Sequence, residues 1–142
     1  MKTVRELLEG KTTRLLSISP EASVFEALQL MAAKDVGALV VLEGERLAGI
    51  FSERDYARKV VLVGKFSKET AVRDIMTAKV LCVRPDQTVD QCMALMTEHR
   101  IRHLPVLDGS KVIGVISIGD VVKELLSEQQ VIISQLESYI HM

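Results

Sequence analysis

Two Ser-x-x-Asp tetrapeptides have the residue types and spacing that suit the binding of a phosphorylated sugar. Ser52 and Asp55 lie in GIFSERDYARK, and Ser117 and Asp120 lie in the similar stretch GVISIGDVVKE. A helix that begins at such a serine offers free N–H groups and partial positive charge to an anion, and an aspartate beside it can accept two hydrogen bonds from the cis-diol of a ribose. Each tetrapeptide is therefore a candidate site for phosphate and ribose.

A purely structural role explains the same spacing. Each serine follows an apolar segment that ends where a helix is expected, so its hydroxyl can cap that helix. An aspartate in the first helical turn also interacts favourably with the helix dipole, by a few tenths of a kcal/mol. The two roles are compatible, and the sequence leaves open whether Asp55 and Asp120 face a ribose.

The elements that must position these residues occur twice. An offset of 65 aligns the two halves without a gap, and the aligned pairs include Pro20 with Pro85, Val24 with Val89, Gly49 with Gly114, Ser52 with Ser117, and Asp55 with Asp120. The leading segments TVRELL and AVRDIM align at an offset of 68, so the spacer that follows them differs by three residues. Such self-similarity indicates a duplicated unit. We predict a first repeat over 1–70 and a second over 71–142, packed as one compact module.

Each repeat predicts the element order β-α-β-β-α. RLLSIS and KVLCVR are short β-rich segments, and the helices that follow begin with capping boxes, Ser23 with Glu26 and Thr88 with Gln91. GALVVLEGERLAGIF and RHLPVLDGSKVIGVI each predict a hairpin, and a last helix follows from about Arg54 or Asp120. The apolar strands need cover on both faces, so we predict two sheets that face each other across a pseudo-twofold axis, with two clefts between the repeats.

The composition narrows the classes of function. A net charge of -1 over 142 residues gives no electrostatic footprint for duplex nucleic acid or an anionic membrane. The sequence has no membrane-length apolar run and no signal-peptide pattern, which predicts a cytoplasmic protein. Cys82 and Cys92 form no CxxC motif and are expected to be buried thiols, and the three histidines lack metal-ligand spacing. No catalytic set stands out, so no enzyme activity and no metal are expected.

The tandem order, together with the repeated Gly-h-h-Ser-x-x-Asp signature, where h is an apolar residue, resembles a pair of CBS domains, also called a Bateman module. FSERDYARKVV, HRIRHLPVL and GVISIGDVVKE are similar to segments of small stand-alone bacterial CBS proteins. The resemblance implies an α/β fold of two β-α-β-β-α repeats that binds AMP, ADP, ATP, NAD or S-adenosylmethionine between them. The expected role is sensing, without catalysis.

The resemblance also implies where the ligand lies. The adenine slot would be formed by the first strand, Ile18 to Pro20 or Val83 to Pro85, and by the start of the hairpin, Val36 to Ala38 or Ile101 to His103. Core packing explains these apolar residues equally well. Arg102 and His103 are candidates for contact with ligand phosphates, although a solvated basic corner is the alternative. Arg54, where the second repeat has Gly119, would add a phosphate contact, so the two clefts are expected to differ.

The second repeat ends in a helical pattern several turns longer than its counterpart. It carries an apolar stripe formed by Val121, Val122, Leu125, Leu126, Ile132, Ile133, Leu136 and Ile140. A second copy of the chain is the expected cover, through a twofold interface, with packing on the chain's own core as the alternative. The main hypothesis is a homodimeric adenine-nucleotide sensor with an unknown downstream partner. Its rival is a ligand-independent scaffold that acts through this helix, and an enzyme or nucleic-acid binder is a third alternative.

Overall fold

The duplicated order of elements is present in the structure, a computed structural model that describes residues 2–11 and 15–140. The α-helices are α1 (Val4–Glu9), α2 (Val24–Lys34), α3 (Glu53–Tyr56), α4 (Val72–Ile75), α5 (Val89–His99) and α6 (Ile118–Ile140). The strands are β1 (Ser17–Ile18), β2 (Ala38–Glu43), β3 (Arg46–Ser52), β4 (His103–Asp108) and β5 (Lys111–Ser117). A π-helical turn, Ala57–Val61, extends α3, and a 3₁₀ turn, Ser67–Glu69, precedes α4. The predicted fold class of two small α/β units and a long C-terminal helix is confirmed.

The two hairpins have the same register. Ala38 pairs with Ser52 in the first hairpin, and His103 pairs with Ser117 in the second. Each hairpin has a two-residue turn whose first residue is a glycine with positive φ, 65° at Gly44 and 66° at Gly109. A hairpin turn of this kind favours glycine at that position because it needs a positive φ there. The repeat therefore places both Ser-x-x-Asp signatures at equivalent hairpin ends.

The first predicted strand is realised differently in the two repeats. β1 pairs in parallel with β2, but KVLCVR contributes only one parallel bridge, between Val83 and Val106. In the first repeat the N–H of Val40 donates to Leu16 O over 3.3 Å. Pro105 is the counterpart of Val40 and has no N–H to donate. The short β segment predicted over KVLCVR is therefore reduced to a single bridge, because the proline removes one of its ladder bonds.

The capping predictions are mostly confirmed. Thr88 and Gln91 form a full capping box, with Gln91 N to Thr88 Oγ1 at 3.3 Å and Thr88 N to Gln91 Oε1 at 2.9 Å. Ser23 Oγ accepts from Glu26 N at 3.1 Å, but these two residues form no return bond. Both helices therefore begin where the hydroxyls predict.

The first helix of each repeat, α1 or α4, is hydrogen-bonded to the other repeat. In α1 the N–H of Val4 donates to Gln87 O over 2.8 Å, so this helix lies on the second repeat. In α4 the N–H of Val72 donates to Ala22 O, also over 2.8 Å, so that helix lies on the first. The boundary between the repeats that the sequence predicts at residue 70 stays a prediction. Each hydrophobic core includes residues from both sides of residue 70. One core holds Val24, Ala27, Met31, Leu39, Val41, Phe51, Val60, Val72 and Ile75, and the other Val4, Val83, Val89, Cys92, Met96, Leu104, Val106, Ile116 and Val121.

The glycines of the two signatures allow the leading segments to approach the hairpins. A Cβ at Gly49 would lie 2.6 Å from Thr77 O, and one at Gly114 would lie 2.6 Å from Leu8 Cδ2. The first obstacle is a backbone carbonyl and the second is the end of a flexible side chain. The alignment of the two repeats identifies both glycines, and in the structure each lies where a side chain would collide with a neighbouring segment.

We expect Gly49→Ala to destabilise the fold more than Gly114→Ala does. The carbonyl at Thr77 belongs to a segment that pairs with Ile50, so it can move only by breaking that pairing, whereas Leu8 can change rotamer. We expect a loss of about 2–3 kcal/mol at Gly49 and about 1 kcal/mol at Gly114 in urea unfolding. Equal losses would contradict this account of the two contacts.

The last helix is long and keeps much of its apolar surface in contact with solvent. α6 covers 23 residues, whereas α3 covers 4 before its π-helical turn. Val121 is buried and Leu125 packs against the second core, but the large apolar residues Val122, Leu126, Val131, Ile132, Ile133, Leu136, Tyr139 and Ile140 are exposed. Within the described residues, no helix combines the length and the apolar content that a membrane span needs.

Candidate functional site: two clefts between the repeats

Two unequal clefts lie where the repeats meet, and each combines the signature of one repeat with the hairpin start of the other. The large cleft has a volume of about 440 Å³. It is lined by Leu8, Lys11, Leu15, Leu16, Asp35, Val36, Gly37, Ala38, His103, Ile113, Gly114, Val115, Ser117 and Asp120. The small cleft has a volume of about 190 Å³ and is lined by Gly37, Ile50, Ser52, Glu53, Arg54, Asp55, Thr77, Ile101, Arg102 and His103. Of these two clefts, the large one reaches the range of about 300–1,000 Å³ that is typical of small-molecule sites, and the small one does not.

Asp120 lies on the wall of the large cleft and keeps part of its carboxylate accessible. Its Oδ2 accepts from Ser117 N at 2.8 Å, while Asp120 N donates to Ser117 Oγ at 3.2 Å, so the tetrapeptide also caps α6. Among the described residues Oδ1 has no hydrogen-bond donor, and the side chain is 23% exposed. This carboxylate therefore has capacity to bind a further donor.

Lys11 lies directly against that carboxylate. Its Nζ donates to Asp120 Oδ2 over 2.8 Å and to Val115 O over 2.9 Å. Burial alone raises the pKa of Asp120, but the hydrogen bonds from Lys11 and Ser117 outweigh it and hold the pKa below its ordinary value. The aspartate is therefore ionised at neutral pH, and a cation stands beside the predicted ribose site.

Asp55, the equivalent aspartate, is used internally. Its Oδ2 accepts from Ser52 N at 3.0 Å and from Ser52 Oγ at 3.1 Å. Its Oδ1 accepts from Thr77 Oγ1 at 3.1 Å and from Lys59 Nζ at 3.0 Å. The Asp55 side chain is only 8% exposed, compared with 23% for Asp120. The two signatures share the capping geometry but differ in what remains available to a ligand.

His103 belongs to both clefts. A Cβ on Gly37, which also lines both, would lie 3.6 Å from its Nε2. Burial is the main cause that lowers the pKa of His103, with further lowering by the charges of Lys11, Arg102 and Arg54 and an opposing effect of Asp120. The ring is therefore neutral at pH 7 and can hydrogen-bond to a ligand in either cleft.

The predicted basic residues lie on the small cleft. Arg54 and Arg102 both line it, and Arg54 Nη1 donates to Arg100 O over 2.8 Å. Their predicted contact with ligand phosphates stays a prediction. The guanidinium of Arg54 already has a backbone partner, which reduces its capacity for an additional anion.

The predicted adenine slot is divided between the clefts. Val36 and Ala38 line the large cleft, whereas Ile101 lines the small one together with Arg102 and His103. Ile18 packs against the first core and Pro20 is buried, and neither is among the described residues that line a cleft. Leu15 and Leu16, which belong to the same predicted β segment and precede Ile18, line the large cleft instead.

Sequence reasoning missed Lys11 and Thr77. Both follow a leading helix and reach the signature of the other repeat, Lys11 at Asp120 and Thr77 at Asp55. Lys11 falls in the spacer whose length differs between the repeats, where an offset of 65 aligns it with Met76 and an offset of 68 aligns it with Lys79, so the repeat gives it no single counterpart. The shift of offset from 65 to 68 was the available signal, because it marks where the repeats cease to be equivalent.

The cysteines and the acidic groups add no metal site in the part of the chain that the structure describes. Cys92 is buried and Cys82 is half-buried, both as free thiols, and burial raises the pKa of each. Over 2–11 and 15–140, His, Cys, Asp and Glu form no group of three that could hold a metal ion. The groups that line the two clefts are carboxylate, ammonium, guanidinium, imidazole and apolar surface.

Comparison with known proteins identifies the duplicated unit. The family described as CBS domain matches residues 4–62 and 72–127. The mitochondrial CBS domain-containing protein CBSX3 of Arabidopsis thaliana is 45% identical over 123 residues, which cover 83% of this chain and 60% of that protein. The chain thus spans about 60% of the length of this relative.

Solved structures agree with this match. A candidate signal-transduction protein with CBS domains from Burkholderia ambifaria is 54% identical, with a TM-score of 0.85, and the likeness covers 90% of this chain and 96% of that one. The CBS domain pair of protein MJ0100, in complex with 5′-methylthioadenosine and S-adenosyl-L-methionine, has a TM-score of 0.78 at 20% identity over 90% of this chain and 98% of that one. The second likeness concerns the fold alone. Two family matches in one chain, on a fold shared with these structures, show that the protein belongs to the CBS-domain family and carries two CBS domains in tandem.

Proposed function

We propose that this chain is a regulatory module that binds one adenine nucleotide, such as AMP, ATP or NAD, in the large cleft and catalyses no reaction itself. The observation that carries the proposal is the partly accessible carboxylate of Asp120 on the wall of a cleft of about 440 Å³. A carboxylate can accept both hydrogen bonds of a ribose cis-diol. Tandem CBS domains are in general regulatory modules that bind adenosine-containing ligands, and the MJ0100 domain pair holds two such ligands in its complex.

The walls of the large cleft suit the remaining parts of such a ligand. An adenine ring is apolar on its faces, and Leu16, Val36 and Ile113 offer apolar surface. The neutral ring of His103 and the carbonyl of Val115 offer polar groups for the edges of the base. The small cleft has less than half the volume, and its aspartate is already bonded on both oxygens. We therefore assign one ligand to each chain and give Asp55 a structural role.

Thermal unfolding with added nucleotide tests the proposal. We expect saturating AMP, ATP or NAD to raise the Tm of the wild type by about 5–10 °C, since a ligand at a hundredfold excess over Kd adds about 2.7 kcal/mol. Asp120→Asn should remove most of this rise, and 2′-deoxy-AMP should give a smaller rise than AMP in the wild type. Asp108→Asn alters an exposed carboxylate of the same repeat and should leave the rise unchanged.

Two results would contradict the proposal. One is the absence of a Tm rise with all three nucleotides at millimolar concentration. The other is a rise of equal size in the wild type and in Asp120→Asn, which would remove the assigned anchor. In either case the second candidate, a scaffold that acts through α6 without a ligand, would become the better account.

The exposed face of α6 supports that second candidate and also the proposed oligomeric state. On this face Leu126, Ile133 and Ile140 recur every seven residues, and so do Ile132 and Tyr139, which continue the spacing of Leu125 on the chain's own core. A seven-residue apolar repeat is typical of helices that pack along one another. We propose that the same face of a second copy covers this stripe in a twofold dimer.

A further inference from the structure

The ammonium of Lys11 is hydrogen-bonded to the Asp120 carboxylate, the same group to which the ribose of the proposed ligand would bind. Lys11 Nζ lies 2.8 Å from Asp120 Oδ2 and 2.9 Å from Val115 O, and the side chains of Lys11 and Asp120 are 25% and 23% exposed. Both residues line the large cleft. The two side chains are therefore bonded to each other and are also accessible to a ligand.

A ribose would have to rearrange this pair. Asp120 Oδ2 accepts from Ser117 N and from Lys11 Nζ, which together use the two lone pairs of that oxygen. A cis-diol that donates to both carboxylate oxygens needs one of those positions. The Ser117 N–H belongs to the helix cap and cannot leave without disrupting the start of α6, so the lysine is the donor that can move.

A displaced ammonium needs a new partner. The lining of the large cleft includes the apolar side chains of Leu8, Leu15 and Leu16, the neutral ring of His103, and one further carboxylate, that of Asp35, which is exposed to solvent. A cation that loses its counter-charge in such surroundings loses a charge-assisted hydrogen bond. A phosphate on the same ligand would restore that bond, whereas an uncharged nucleoside would not.

We infer that Lys11 determines the ligand class of the large cleft by exchanging its bond to Asp120 for one to a ligand phosphate. The ribose diol donates hydrogen bonds to the Asp120 carboxylate, and the ligand phosphate accepts one from the Lys11 ammonium. The cleft therefore binds phosphorylated nucleosides more tightly than free nucleosides. This inference rests on the proposed function. Lys11 lies outside both Ser-x-x-Asp signatures, in the spacer whose length differs between the repeats.

Isothermal titration with two probes, AMP and adenosine, tests the exchange. We expect the wild type to bind AMP about tenfold or more tightly than adenosine. In Lys11→Met the affinity for AMP should fall by about tenfold and that for adenosine should rise severalfold, because the diol then no longer competes with an ammonium for Asp120 Oδ2. Lys11→Arg keeps the cation and should preserve the preference for AMP. Lys2→Met is the matched control, since it breaks an ion pair between the same leading segment and α6, with Glu124, outside the cleft.

Lys11→Met is expected to change the affinities for AMP and adenosine in opposite directions, and this distinguishes the possible outcomes. If Lys11→Met weakens or strengthens both ligands equally, or changes neither, Lys11 does not select the ligand class and the inference is overturned. If neither probe binds to the wild type or to Lys11→Met, the proposed function fails and the role of Lys11 fails with it. Circular dichroism of each variant checks that it is folded.

Discussion

Asp55→Ala is expected to lower the free energy of unfolding by about 3 kcal/mol, while Asp120→Ala lowers it by about 1 kcal/mol or less. Removal of Asp55 leaves the backbone N–H of Ser52 and the hydroxyl of Thr77 without their acceptors in an almost buried site. It also breaks the link between the end of the first hairpin and the segment after α4. Asp120 has fewer partners and more solvent, so its loss is easier to accommodate.

Urea unfolding of the two variants measures this difference, and Asp55→Asn provides a milder comparison because it keeps an acceptor oxygen. The effect on ligand binding should be reversed, with affinity lost in Asp120→Ala and retained in Asp55→Asn. Equal destabilisation by the two alanine variants would contradict the structural role of Asp55. It would also leave the inequality of the two signatures without a basis.

The second large effect is expected in the oligomeric state. Ile132→Glu places a charge in the middle of the exposed stripe of α6, where Ile132 is 55% exposed in the single chain. A twofold interface contains the substitution twice, so we expect the dimer dissociation constant to rise by about a hundredfold or more. Sedimentation equilibrium should find a dimer for the wild type and a monomer for the variant.

Ser134→Glu is the matched control for this experiment. Ser134 lies on the same helix, two residues further along the chain, which places it about half a turn from Ile132. It should leave the dimer intact. A wild type that sediments as a monomer, or a dimer that persists in Ile132→Glu, would overturn the assigned interface.

Most of the fold can be predicted from the sequence because its determinants are local and occur twice. The turns at Gly44 and Gly109 and the cap at Thr88 each combine a residue type with a backbone requirement. The loss of most of the first strand in the second repeat can also be predicted, since Pro105 lies in β4, the strand with which it would pair. The crossing of α1 and α4 has no such signal, because both helices are short and their docking depends on contacts far along the chain.

The candidate site is only partly predictable for the same reason. The signature identifies Asp55 and Asp120 as equivalent, and their local capping bonds are indeed alike. Their difference comes from non-local partners, Thr77 for one and Lys11 for the other. One local clue exists, because Lys59, which pairs with Asp55, aligns with Glu124 in the second repeat. The expectation that Arg54 favours the first signature for phosphate therefore stays a prediction, and the internal use of Asp55 weighs against it.

The number of nucleotides bound per chain tests the central claim most directly. Isothermal titration of the wild type with AMP should give one site per chain, Asp120→Asn should remove it, and Asp55→Asn should retain it with a similar Kd. Two equivalent sites per chain, or a single site that survives Asp120→Asn and is lost in Asp55→Asn, would contradict the assignment of the ligand to the large cleft.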